Sequence, residues 1–270
     1  MTSTDLFVSG PPAWPGCALG AWAAAWLAGR CAPDDVIDTM SEFANRHLVV
    51  DPDAIVDVAG DSDARLGLLT VLRRARQIEV RLPTSGAPQG LPPDPATTAG
   101  LEVGEILLIH GDVTSSSTIG LTPTLDGDTC RWTIHRFRSE VPIVRPEPLG
   151  QVEYELREAI RETATIIGGL GSAGGRSGGA ELRTTLTALT ARHQVILPPH
   201  DDIRATRVID SAAQVEAIIT LAGAHAPTFG VTARHVETGD SRLRRLSGLA
   251  RAARAAAVNR VIVEHLPADR

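Results

Sequence analysis

Apolar residues recur at helical spacing toward both ends of the chain and alternate with period two only in its middle. From Cys17 to Gly29 an uncharged run rich in Ala and Gly carries Trp22 and Trp26 one turn apart, which predicts a buried helix. Cys31-Ala32-Pro33 breaks it. Asp34 and Asp35 suit the first turn of a second helix, marked by Val36, Ile37, Met40 and Phe43 and reaching to about Asn45. The two helices read as a packed hairpin. Ile55 to Val58 is strand-like but short, and Leu66, Leu69 and Leu72 mark a helix over 64–76 that Asp61 or Ser62 could cap. Gln77 to Leu82 alternates cleanly and is the best strand in the chain. Pro83 to Gly100 is broken throughout by Pro and Gly and predicts a long loop, functional or mobile. Leu101 to Ile109 is apolar, with a strand favoured at its end, I-L-L-I-H. Thr118 to Pro123 and Thr129 to Phe137 flank L-D-G-D and predict a hairpin.

The proline-rich stretch 141–149 predicts a linker between an α/β domain, residues 1–145, and a helical domain, residues 150–270. Beyond it the pattern gives one helix from Val152 that ends at Gly168-Gly169, and further helices over Ala180 to His193, Asp201 to Ala224 and Ser241 to Glu264. Four helices with short connections suggest a bundle. The expected fold is therefore α+β, or mixed α/β: N-terminal helices with a small mixed sheet, then a C-terminal bundle of about four helices.

Composition narrows the chemistry. With 270 residues, 43% of them hydrophobic, and a net charge of −6, the chain can bury a sizeable core and is not disordered as a whole. All 26 basic residues are arginine. Without lysine the chain cannot itself form a Schiff base or a Walker-type phosphate loop, which excludes pyridoxal phosphate enzymes, lysine aldolases, protein kinases and P-loop NTPases. Cys17, Cys31 and Cys130 are odd in number with no C-x-x-C spacing, which argues against a disulfide framework and a cysteine-rich zinc site. The uncharged run over 13–29 follows an acidic rather than basic N-terminal stretch and is mostly Ala and Gly. It lacks the n-region of a signal peptide and the apolarity of a membrane span, so a cytoplasmic protein is expected.

Several short patterns invite a chemical reading, and each has a plainer one. Gly169 to Gly174 matches G-x-G-x-x-G, and Gly175 to Gly179 matches G-x-S-x-G. Both motifs require a preceding strand, and the residues before them are helical, so a glycine-rich loop between helices is the favoured reading. Asp51, Asp53, Asp57, Asp61 and Asp63 lack EF-hand spacing and read as a solvated acidic surface. His110-Gly111-Asp112, with Ser115 to Ser117 behind it, holds the residue types of a hydrolase triad, and His135-Arg136 could bind an anion. These four, His110, Asp112, His135 and Arg136, lie at strand ends and are the candidate site residues, although solvated turns account for them too. No histidine pair has metal-ligand spacing, so neither a metal nor a cofactor is expected. The last helix sets Arg242, Arg244, Arg245, Arg251, Arg254 and Arg260 against Leu and Ala, which could meet nucleic acid but reads better as a solvated outer face.

Longer phrases carry a resemblance. Leu72 to Pro92, Leu101 to Gly111 and Gly120 to Pro123 resemble a family of conserved, uncharacterised actinobacterial proteins. So do Val152 to Thr165, Leu197 to Pro199, Arg204 to Ile218 and Leu243 to Val258, and together these phrases span about two thirds of the chain. The resemblance implies a cytoplasmic protein of GC-rich bacteria and no particular activity, cofactor or site.

Two functions are compatible with these observations. The first is a non-catalytic cytosolic protein that binds a protein partner or itself, as an adaptor or regulator. The alternative is a small-molecule-binding protein or enzyme, with a cleft between the sheet and the bundle, under the Pro83 to Gly100 loop.

Overall fold

The computed structural model describes residues 10–56, 64–111, 118–144, 147–173, 178–225 and 233–266, with eight helices and five strands among them. Helices α1 (Pro15–Leu27) and α2 (Pro33–Ser41) precede strand β1 (Arg46–Val50), helix α3 (Ala64–Leu72) and strand β2 (Gln77–Arg81). Then follow α4 (Pro95–Val103), β3 (Ile106–His110), β4 (Thr118–Asp126) and β5 (Thr129–Arg136). The second half holds α5 (Leu149–Ala173), α6 (Gly178–Arg192), α7 (Ile203–His225) and α8 (Ala233–His265). The architecture is the expected α+β one. No helix among the described residues is long and apolar enough to cross a membrane.

The strands form one mixed sheet in the order β1-β5-β4-β3-β2, with β1 parallel to β5 and the remaining neighbours antiparallel. Alternation divides its residues between two faces. Ile78, Val80, Leu107, Ile109, Leu121, Trp132 and Ile134 share the face that joins α1, α2, α3, α7 and α8 in the main apolar core. Glu79, Arg81, Ile106, Leu108 and His110 lie on the other face, where Leu91, Ala96, Phe137 and Val141 complete a smaller core over β3. Alanines of α8, including Ala250, Ala253 and Ala257, are fully buried in the main core, so this helix lies close to its neighbours. Gly20 does the same for α1, because a Cβ there would meet Leu107 at 2.8 Å and Val80 at 3.0 Å.

Several boundaries differ from the sequence expectation, each for a local reason. Part of the expected Pro83 to Gly100 loop is helix α4. Asp94 is its N-cap, accepting from the Ala96 N–H at 3.0 Å, with Pro95 in the first turn and Gly104 (φ +85°) closing the far end. The same carboxylate accepts from the N–H groups of Arg138 and Ser139. Burial works against its charge, but these three donors outweigh it and hold the carboxyl below its usual range. Gly169 to Ala173 continue α5 rather than forming a loop, and residues 174–177 lie outside the described residues.

Helix α2 stops at Ser41 rather than near Asn45, and the strand that follows is β1, whereas Ile55 and Val56 are not in a strand. Residues 57 and 58 lie outside the described residues. The deciding side chain is buried His47. Indole nitrogen can only donate, so the 3.0 Å contact from Trp132 Nε1 makes His47 Nδ1 an acceptor. The proton then sits on Nε2, which donates to the Met40 carbonyl at 2.9 Å. One neutral imidazole thus joins the end of α2 to β1 and β5. The Met40 carbonyl also accepts from the Phe43 N–H, so His47→Ala is expected to orphan chiefly the buried Trp132 Nε1–H and to lower the unfolding free energy by about 2 kcal/mol, measured by urea denaturation.

Candidate functional site

Strand β2 is an edge of the sheet, and its outward backbone groups would ordinarily face water or another chain. Two side-chain amides occupy them instead. Asn259 of α8 pairs with both groups of Val80, with Val80 N–H to Oδ1 at 2.7 Å and Nδ2 to the Val80 carbonyl at 2.9 Å. Gln89 does the same for Leu82, at 2.8 and 3.0 Å. To reach this position Gln89 adopts φ +53°, left-handed backbone that costs a non-glycine residue energy and concentrates at functional sites.

Beside the two amides a cleft of about 260 Å³ opens. Val80 and Arg81 of β2, Gln89 and Gly90 of the loop, and Val144 and Glu147 of the linker line one side. Ala252, Ala255, Ala256 and Asn259 of α8 form the other, and the space exists because these helix residues are small.

Arg81 organises the cleft wall from a buried position. Its guanidinium donates to Glu79 Oε2 at 2.7 Å, to the Gln89 carbonyl at 2.8 Å and to the Pro142 carbonyl at 3.1 Å. Glu79 Oε1 accepts from the Val144 N–H at 3.2 Å. The pair therefore ties both the loop and the linker to β2. His110 Nε2 stands 3.7 Å from the Glu79 Oε2 that Arg81 holds, and His110 Nδ1 is 3.1 Å from the Thr118 hydroxyl.

Of the four residues singled out from sequence, His110 joins this network. Asp112 lies outside the described residues. His135 is on the same face as His110 but on β5, two strands away and so about 10 Å off. Its Nε2 contacts the Thr122 hydroxyl at 2.8 Å, and burial lowers its pKa against the opposing pull of Asp53. Arg136, next along the strand, points to the opposite face and is exposed. The structure thus brings none of the three described candidates together. The residues that do converge are Glu79, Arg81, Gln89 and Asn259. Glu79 and Arg81 were visible as opposite charges two positions apart in I-E-V-R-L, and hence on one face of the strand, but nothing local showed that this face is buried.

Other candidates resolve more simply. Asp51 accepts the Val56 N–H at 2.7 Å, and residues 57, 61 and 63 lie outside the described residues. Among the described residues no group of three or more His, Cys, Asp or Glu side chains could hold a metal ion. The three cysteines are free thiols, and burial pushes that of Cys130 up to about 12.

Comparison with known proteins places the chain. Residues 16–147 match the N-terminal domain of the Rv1486c-like proteins, and residues 150–255 match their C-terminal domain. The chain belongs to the Rv1486c-like family. An uncharacterized protein of Mycobacterium leprae is 29% identical over 298 residues, covering 92% of this chain and 97% of its own. An uncharacterized protein of Mycobacterium tuberculosis is 30% identical over 292 residues with the same coverage. No solved structure matches. In this Rv1486c-like chain the cleft takes β2, loop and linker from the first matched segment and Ala252 and Ala255 of α8 from the end of the second, while Ala256 and Asn259 of the same helix lie just beyond it.

The same two segments meet again in a buried cluster that corrects the reading of the last helix. Arg251 and Arg254 do not belong to a solvated face. Arg254 is fully buried, paired with Glu216, bonded to the His193 carbonyl at 3.2 Å and stacked 4.4 Å over Trp14. Arg251 lies 5.1 Å over the same ring and donates to the Gly104 carbonyl at 2.9 Å. Next to Gly104, the buried Glu105 carboxyl accepts the Gly16 N–H at 3.0 Å at the start of α1, which has no side-chain cap of its own.

Burial pushes the Glu105 carboxyl up to about 8, against its backbone donors and the arginines, and pushes His193 down to about 4, aided by Arg254, Arg192 and Arg251. Glu105 thus contributes stability that is complete below 4.5 and lost as pH rises to about 8. His193 contributes stability present above 6.5 and lost as pH falls to about 4. Between 4.5 and 6.5 the two slopes cancel, and above 6.5 only the Glu105 loss remains. The unfolding free energy is expected to fall by about 2 kcal/mol from pH 6.5 to 8 through this group, and Glu105→Gln is expected to flatten that decline in urea titrations across the range.

Proposed function

We propose that this is a cytosolic protein that binds a small molecule in the cleft between β2 and α8. The observation that carries the reading is the cleft itself, a space of about 260 Å³ with a buried, fixed Arg81 in its wall. Its volume is just below the usual range for ligand pockets and suits a compact metabolite. Its walls divide the work in the way such sites do. Ala252, Ala255 and Ala256 offer a small apolar floor, while Arg81, Asn259, Gln89 and Glu147 place polar groups around it. These are amides, a guanidinium and a carboxylate, so the lining favours holding a ligand over attacking one. The site lies under the proline-rich loop, between sheet and helices.

A second reading, an adaptor that docks a protein partner, is supported by Leu48 and Val50, which are 40% and 36% exposed on one face of β1. Native mass spectrometry of the untagged protein, purified gently, separates the two. The cleft reading expects a retained small-molecule mass that Ala256→Leu, which fills the floor, removes while the variant still melts cooperatively. A stoichiometric protein partner with no small adduct would overturn it in favour of the adaptor.

A further inference from the structure

The two amides that close the edge of β2 each keep half of their hydrogen-bonding capacity, and both residues line the cleft. This inference rests on the cleft being the binding site. We propose that its ligand is a single-ring polyol, of the size of a monosaccharide or cyclitol, recognised through its hydroxyl groups.

A carboxamide has two N–H donors and two acceptor lone pairs. Asn259 commits one of each to Val80, and Gln89 commits one of each to Leu82. Neither side chain makes another hydrogen bond among the described residues, so one N–H and one lone pair stay free on each. Arg81 adds further donors. It is 5% exposed, its three hydrogen bonds use three of its five N–H groups, and its buried Nε–H has no partner. Its Nη1 keeps a second N–H beside Gly90, where a Cβ would stand 3.6 Å from that nitrogen, so the missing side chain keeps the approach clear. Glu147, exposed on the linker, adds an acceptor that makes no hydrogen bond among the described residues.

The wall thus offers both donors and acceptors, from separate parts of the chain. A carboxylate ligand only accepts and an ammonium only donates, so either would strip one set of water without replacing it. A hydroxyl does both. A molecule with several hydroxyls around a compact frame meets the loop amide, the helix amide and the linker carboxylate together, whereas a single primary amide presents one donor–acceptor edge. The floor suits the same class. Ala252, Ala255 and Ala256 offer small apolar surface to the C–H face of a ring, and a space of about 260 Å³ admits one ring rather than a chain of them.

The test titrates glucose, galactose, mannose, xylose, ribose and myo-inositol into the full chain, followed by protein NMR, with cyclohexanol and cyclohexanecarboxamide as ring-sized controls. At least one polyol is expected to bind saturably and about tenfold or more tighter than either control, because the controls leave polar groups of the wall unmet. Glu147→Ala is expected to weaken that polyol about tenfold and to leave the controls unchanged. The Glu147 side chain holds nothing else in place, so this variant is expected to melt as the unaltered chain does. Absence of saturable binding by every polyol, or a control that binds as tightly as the best of them, would overturn the proposal. So would a folded Glu147→Ala variant with undiminished polyol affinity. Failure of the cleft reading looks different: Ala256→Leu would then leave a polyol response unchanged. If every polyol fails while native mass spectrometry still finds a small molecule that Ala256→Leu removes, the cleft stands and the polyol assignment falls.

Discussion

Helix α8 can lie against the edge of the sheet only because two of its polar side chains, Asn259 and Arg254, find partners inside the core. A helix carrying an amide and a guanidinium into an apolar interior would ordinarily be repelled by the cost of stripping them of water. Asn259 avoids that cost by taking the place of a missing sixth strand on Val80. Arg254 avoids it by pairing with Glu216 and stacking on Trp14. The seat of α8 then fixes much else. It closes an edge that would invite association, forms the alanine floor of the cleft, and brings Arg251 to the Gly104 carbonyl at the end of α4.

The two halves of the chain are accordingly joined by polar contacts as well as by apolar packing. The buried charges mostly come as matched pairs, Glu79 with Arg81 and Glu216 with Arg254. Such pairs add little net stability compared with apolar residues of the same shape, but breaking one leaves an uncompensated buried charge. Their value here is geometric. Arg81 needs the carbonyls of Gln89 and Pro142, so the loop and the linker are held to β2 in one arrangement. Glu105 differs, being a buried carboxyl that caps α1 from a distant part of the chain. It makes the start of one helix depend on the turn that follows another.

The elements are largely legible in the amino-acid sequence. The alternation of I-E-V-R-L gave β2, L-D-G-D gave the turn of the β4–β5 hairpin, and the Leu and Ala periodicity gave the four helices of the second half. Helix α4 was also written locally, in Asp94-Pro95 as cap and first turn, but the prolines around it masked the signal. Strand β1 was not legible, because Arg46 to Val50 has no clean alternation and owes its place to a parallel neighbour and to His47.

The cleft shows where local information ends. Its approximate place, between sheet and helices under the proline-rich loop, followed from the order of the elements. Its residues did not, because Arg81 and Asn259 are 178 positions apart and nothing near either one announces the other. The amino-acid sequence by itself determined the fold class, the helices of the second half, the absence of lysine chemistry and the family. Periodicity, capping and composition are local properties that survive without a partner. Which charges are buried, which amides close the edge of β2, and which face of α8 is turned inward were decided by the tertiary structure alone. Burial and pairing belong to two segments at once, and only packing brings those segments together.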